Sequence, residues 1–171
     1  MTLQETKSDL WEAVAIATRF CYALEHTDEI GKEHFVTEML SCLPRLFIIF
    51  TETVISGDEP EEYSFLASYV DENMYEAIRQ RVAALIGSDD TYLETFEEDM
   101  KYSDTPIAAS VSEGLADIFQ DLYNFATNVR ESEGETIETA FTQCQENFKM
   151  YWSQTLCNVM RPLNQISHCQ E

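Results

Sequence analysis

Three carboxylates are the residues best spaced to do chemistry. Glu113, Asp117 and Asp121 recur at i, i+4 and i+8, so a helix through them carries one acidic stripe. Such carboxylates are hard oxygen ligands of the kind that Mg²⁺ or Ca²⁺ takes from more than one segment. A second acidic group, Glu94, Glu97, Glu98 and Asp99, would complete the set if its segment folds back. The plainer reading is a solvated helix face. At 100° per residue the stripe centres roughly 120–140° from the apolar seam of its own helix. One geometric question separates the two readings: whether both groups converge on a shared ion position.

Other constellations are weaker. His26 is expected to end a helix, where an imidazolium suits the dipole, and His34 and His168 have no metal-ligand spacing to a cysteine or histidine. There is no Gly-rich phosphate loop and no dinucleotide fingerprint, so no cofactor-binding residues are expected and no catalytic residue is assigned. The aromatics Phe141, Phe148, Tyr151 and Trp152 at helical spacing are expected in the core. Any that extend past it would form a partner or homodimer surface. Tyr102-Ser103-Asp104-Thr105 reads as a turn and helix cap that could also serve binding.

Charge narrows the partners. The 171 residues hold 32 acids against 10 Lys and Arg, a net charge of −22. That field repels phosphate backbones and anionic headgroups, so neither nucleic acid nor a membrane surface is expected. It suits solubility, and it attracts a basic protein partner or divalent cations. The hydrophobic share of 44% is too high for a disordered chain.

The five cysteines are Cys21, Cys42, Cys144, Cys157 and Cys169, an odd number with no CxxC. Three of them fall on apolar helical stripes, as buried free thiols do. No disulfide framework is expected. The N-terminal residues lack the apolar run of a signal peptide, and the longest apolar run, Leu46 to Phe50, is far shorter than a membrane span of about 20 residues. A cytoplasmic location is the expectation.

The elements that must position these residues are helices. Scarce Gly and only four Pro favour a few long elements, and the apolar spacing predicts five in one domain over residues 1–171. The first runs from Ser8, as N-cap, to His26. The second runs from Lys32 to Val54, with a kink expected at Pro44. The third runs from Asp71 to Ile86 and stops at Gly87. A short helix is expected from Tyr92 to Met100. Thr105-Pro106 is expected to open the fourth helix as N-cap and N1. There Ile107, Val111, Leu115, Ile118, Leu122, Phe125 and Val129 step by threes and fours. The fifth runs from Thr136 to Arg161 and stops near Pro162, its seam passing through Phe148, Tyr151 and Thr155. The fold class is all-α, an antiparallel up-down bundle without a sheet. Its core is expected to hold Leu46, Phe47, Ile118, Leu122, Phe148 and Trp152.

Several segments carry a resemblance. Thr91 to Phe125, with its YSDTPI and LADIFQDL motifs, resembles a bacterial family, domain-of-unknown-function family 5063. Phe20 to Glu25 and Asn147 to Leu156 are similar to it as well. The resemblance implies a helical bundle and assigns no activity. LADIFQDL is also slightly similar to the helix carrying ExxD in all-α nucleoside-triphosphate pyrophosphohydrolases. In those enzymes an EExxE on another helix helps to hold Mg²⁺. Here Gly114 stands three residues before Asp117, and Lys101 stands three after Glu98. Two function classes follow. One is a non-catalytic binding or regulatory module with an acidic face. The other is a Mg²⁺-dependent hydrolase of phosphorylated small molecules.

Overall fold

The computed structural model describes residues 3–55, 66–94, 102 and 105–168. It is all-α apart from one small ribbon. Helices α1 (Leu3–Glu25), α2 (Lys32–Glu52) and α3 (Glu72–Ile86) come first. A 3₁₀ turn, Gly87–Asp90, leads into strand β1 (Thr91–Glu94). Strand β2 (Ile107–Ser110) runs directly into α4 (Val111–Glu131). Helix α5 (Ile137–Asn147), a π turn (Phe148–Trp152) and α6 (Ser153–His168) follow without a break, so five long helical rods form the bundle.

Helix α4 is the central rod. It packs on α1, α3, α5 and α6. Its apolar residues step by threes and fours, and Leu115, Ile118, Leu122, Phe125 and Val129 are all buried. Its neighbour α2 is the one helix among the described residues long and apolar enough to cross a membrane. Phe35, Val36, Met39, Leu43, Leu46 and Phe50 of α2 lie in the core, which accounts for its apolarity. Phe50 is the hub of an aromatic cluster. It stacks on Phe141 at 4.8 Å between centroids and meets Trp152 edge-on at 5.1 Å.

Several expectations need correction. Helix α1 starts well before Ser8, because Leu3 to Lys7 contain no breaker and extend the helix. No helix begins at Tyr92. Thr91 to Glu94 form a strand paired antiparallel with Ile107 to Ser110, Thr91 opposite Ser110 and Glu94 opposite Ile107. Thr, Tyr and Ile at these positions favour extended backbone, and the bundle supports a ribbon too small to stand alone.

The expected Thr105-Pro106 cap is replaced by a better one at Ser110. Its hydroxyl accepts from the Glu113 N–H, and the Asp90 carboxylate accepts from both the N–H and the hydroxyl of Ser112 at 2.7 Å. Asp90 also suits the positive end of the helix dipole. By contrast, the third helix has the expected ends: Asp71 accepts from the Met74 N–H, and Gly87 has φ +69°.

Pro162 does not end the last helix. It cannot donate to the Asn158 carbonyl, yet it is buried beside Leu163 and the helix continues to His168. Packing prevails over the lost bond. The π turn shifts the apolar seam of this rod, which runs Phe148, Trp152, Leu156, Val159 and Leu163. Tyr151, expected inward, is 65% exposed. Phe47 lies on the core's rim, partly exposed and edge-on to Phe148, rather than within the core. Leu46, Ile118, Leu122, Phe148 and Trp152 are buried as expected.

Candidate functional site

The acidic stripe of α4 borders a groove between α4 and the α5–π–α6 rod. Three recesses follow one another along it. The first, about 220 Å³, is lined by Tyr92, Glu94, Glu113, Asp117, Thr155 and Asn158 among others. The second, about 320 Å³, shares Asp117 and Thr155 with the first and adds Gln120, Asp121, Asn147, Tyr151 and Trp152. The third, about 230 Å³, shares Gln120, Asp121 and Asn147 and runs on to Asn124 and Asn128. Shared wall residues make them neighbours along α4. Among the described residues no Lys, Arg or His lines it.

The stripe is more engaged than a merely solvated face. The Tyr75 hydroxyl of α3 donates to Asp117 Oδ1 at 2.7 Å. The Asn147 side-chain amide of α5 donates to Asp121 Oδ1, also at 2.7 Å. Burial pushes the pKa of Asp117 up, the Tyr75 bond opposes this, and the charge of Glu113 adds to it. Burial likewise raises Asp121, opposed by Asn147 and reinforced by Asp117. Burial and the bond to Asp117 raise the Tyr75 phenol in turn. Each carboxylate thus has one oxygen held by a neighbouring helix.

The predicted ligands divide into three groups. Glu94, Glu113 and Asp117 line one recess, with Glu94 itself buried. Asp121 lies one turn along, in the next recess. Glu97 and Glu98 fall outside the described residues. Among the described residues no group of three or more Asp, Glu, His or Cys is arranged to hold a metal ion.

Gly114 explains the failed hydrolase pattern physically. A Cβ there would lie 2.5 Å from Val159 Cγ1 and 3.2 Å from Thr155 Cγ2. The position where that pattern has a carboxylate is a close contact between α4 and α6. A side chain there must displace Val159.

Sequence reasoning missed five participants. Tyr75 reads only as a helix residue, and Asn147 only as a neighbour of apolar positions. Asn124 and Asn128, an i, i+4 pair of amides, clamp residues 67–70 against α4. Asn124 accepts from the Tyr69 and Val70 N–H groups, and Asn128 both accepts from and donates to Ala67. Amides at helical spacing beside an apolar seam were the available signal. The fifth is the indole N–H of Trp152, the one fully buried side-chain polar atom among the described residues without a hydrogen-bond partner. Leaving a buried donor unmet costs about 1–3 kcal/mol. The donor belongs to a residue of the groove wall, in a π turn, a feature that recurs at functional sites.

Two other recesses differ in character. One of about 370 Å³ lies beside Lys32, whose ammonium is engaged by the Ile86 carbonyl and Asp89. The other, about 580 Å³, is largely apolar and lies between α1 and α4 under Trp11, Tyr22 and Tyr123.

The crystal structure of protein BF1032 from Bacteroides fragilis is similar to the chain. It shares 31% sequence identity over 95% of this chain and 94% of that one, with a TM-score of 0.75. No curated protein matches. The family model described as a domain of unknown function, DUF5063, matches residues 5–168, and the chain belongs to that family.

Proposed function

We propose that the chain is a non-catalytic binding module whose α4 groove takes a basic segment of a partner protein. The observation that carries this reading is the groove's one-signed lining. Glu94, Glu113, Asp117 and Asp121 face it, with no described basic residue on its walls. Nearby, Arg79 is occupied by Glu76 through two hydrogen bonds. A concave single-sign surface focuses the field and steers an oppositely charged partner. The net charge of −22 disfavours nucleic acid and anionic membranes for the same reason. A reducing cytoplasm suits the free thiols.

The alternative is a Mg²⁺-dependent hydrolase of phosphorylated small molecules. The shared recess of Glu94, Glu113 and Asp117 favours it. Against it stand the tight contact at Gly114 and the wide separation of functions along the stripe, where Asp121 is bound by Asn147. Calorimetric titration separates the two readings. The module predicts weak, non-saturable Mg²⁺ and Mn²⁺ binding and no phosphate release from nucleoside triphosphates. A saturable micromolar metal site lost in Glu113→Gln/Asp117→Asn, or phosphate release depending on those residues, would make the protein an enzyme.

A further inference from the structure

The recess of about 580 Å³ between α1 and α4 is separate from the acidic groove. Its α4 wall includes Tyr123, Ala126, Thr127 and Arg130. At 100° per residue these stand roughly 135° round the helix from Asp117, Asp121, Asn124 and Asn128. Small-molecule sites span about 300–1,000 Å³ and combine apolar walls with a few polar groups. This recess has that size and that mixture, with Val14, Cys21 and Val129 beside Thr18, Thr127 and Glu25.

Three aromatic rings line it, Trp11 and Tyr22 from α1 and Tyr123 from α4. Trp11 is 45% and Tyr22 55% exposed, so the fold leaves two large apolar side chains to solvent here. Each ring is nevertheless held by a neighbour. Trp11 rests on Gly134 in the α4–α5 turn, where a Cβ would come within 2.9 Å of the indole. Tyr22 stacks on His26 with ring centroids 3.9 Å apart. Tyr123 packs at 5.1 Å from Phe119. Rings fixed before a ligand arrives lose little freedom when it binds.

The polar lining sets the sign of the ligand. Glu25 is partly buried, and burial pushes its carboxyl up against the opposing charges of His26, Arg81 and Arg130. Those three groups bond elsewhere. Arg81 donates to the Glu25 backbone carbonyl, His26 Nδ1 bonds the Tyr22 carbonyl, and Arg130 Nε donates to Glu131. Glu133 adds a second acid to the lining, against Arg130 as its single base. Two carboxylates and one already paired base favour a positive ligand, and the faces of aromatic rings attract cations too. A primary ammonium is a strongly hydrated point charge. An alkylated ammonium presents methyl or methylene groups instead of N–H donors, and ring-lined sites recognise such cations.

We propose that the recess between α1 and α4 binds a small organic cation, an alkylated ammonium with an apolar body, attracted by the rings of Trp11, Tyr22 and Tyr123 and balanced by Glu25. The inference stands apart from the reading of the acidic groove.

The test is an NMR titration of the full chain labelled with ¹⁵N, at about 150 mM salt, where exposed charges more than about 8 Å apart are largely screened. The probes are acetylcholine and its uncharged carbon isostere, 3,3-dimethylbutyl acetate. The two tryptophans give two indole signals, which Trp11→Phe assigns. Acetylcholine should move the Trp11 indole signal saturably, and the isostere should bind at least about fivefold more weakly. Glu25→Gln and Trp11→Leu, followed on backbone amides, should each weaken acetylcholine at least about threefold. Asp117→Asn/Asp121→Asn should leave its affinity unchanged. Equal binding of the two probes would overturn the inference and leave an apolar cleft without charge preference. Affinity lost in Asp117→Asn/Asp121→Asn but kept in Glu25→Gln would put the cation in the acidic groove and overturn it. No saturable movement of the Trp11 signal with either probe would overturn it as well.

Discussion

Gly114 of α4 lies so close to Val159 of α6 that a Cβ on the glycine would sit 2.5 Å from Val159 Cγ1. This contact sets the spacing of the two helices that wall the acidic groove. Gly114→Ala gains up to about 1 kcal/mol in helix propensity. Overpacking against the stiff, buried Val159 costs about 1–3 kcal/mol, so net destabilisation is expected. Val159→Ala removes the clashing atoms. In a double-mutant cycle the two changes should couple favourably by at least about 0.5 kcal/mol. Additive losses in denaturant melts would mean that the contact does not set the spacing.

Leu122 tests the core. It is fully buried on the central helix. Leu122→Ala should cost about 2–5 kcal/mol in a chemical melt, through lost transfer energy and the cavity left behind. A loss below about 0.5 kcal/mol, that of an ordinary surface change, would contradict the packing described.

The core was the part most legible in the sequence, and the reason is local. Leu115, Leu122 and Val129 recur at the period of a helix, and periodicity needs no tertiary information. What could not be read depended on contacts between distant segments. Asp90 caps α4 across the ribbon, so the true cap lay outside the local Thr-Pro signal. Pro162 reads as a stop, and only burial among other elements carries the helix past it. The π turn moves Tyr151 outward and keeps Trp152 inward, a shift that 3.6-residue counting cannot show. The acidic stripe was legible as a stripe. Its partners Tyr75 and Asn147 were not, because they come from other helices.

The pH dependence of stability should bear the mark of Asp121. Burial holds its carboxyl above the ordinary aspartate value, so the folded state binds this proton more tightly than the unfolded state. Ionisation therefore lowers stability. The penalty is fully present above the folded pKa and vanishes below the unfolded value of about 3.9. Asp121→Asn removes it. Relative to the parent protein, the variant should be more favourable at about pH 7 than at about pH 4. The same difference at both pH values, or the opposite sign, would contradict the assignment.

Cysteine reactivity should follow burial. Cys21, Cys42 and Cys144 are buried, and burial raises all three thiols, Cys42 to about 11. Cys157 is exposed. In the native protein a thiol reagent should modify Cys157 and spare the three buried cysteines. Cys157→Ser should remove one equivalent from the fast phase. Denatured without reductant, the chain should yield five thiols, the number in its sequence. Fast labelling of Cys144 would contradict the fold, and fewer than five thiols would contradict free cysteines.

The central claim is that the α4 groove binds a basic segment through Asp117 and Asp121. The direct measurement is fluorescence anisotropy of a labelled arginine-rich peptide titrated with the protein and with Asp117→Asn/Asp121→Asn. The account predicts a saturable one-to-one complex. It should be weakened at least about tenfold by the two substitutions, and further as salt rises from about 50 to 200 mM. Equal affinity for the parent protein and the double variant would contradict it.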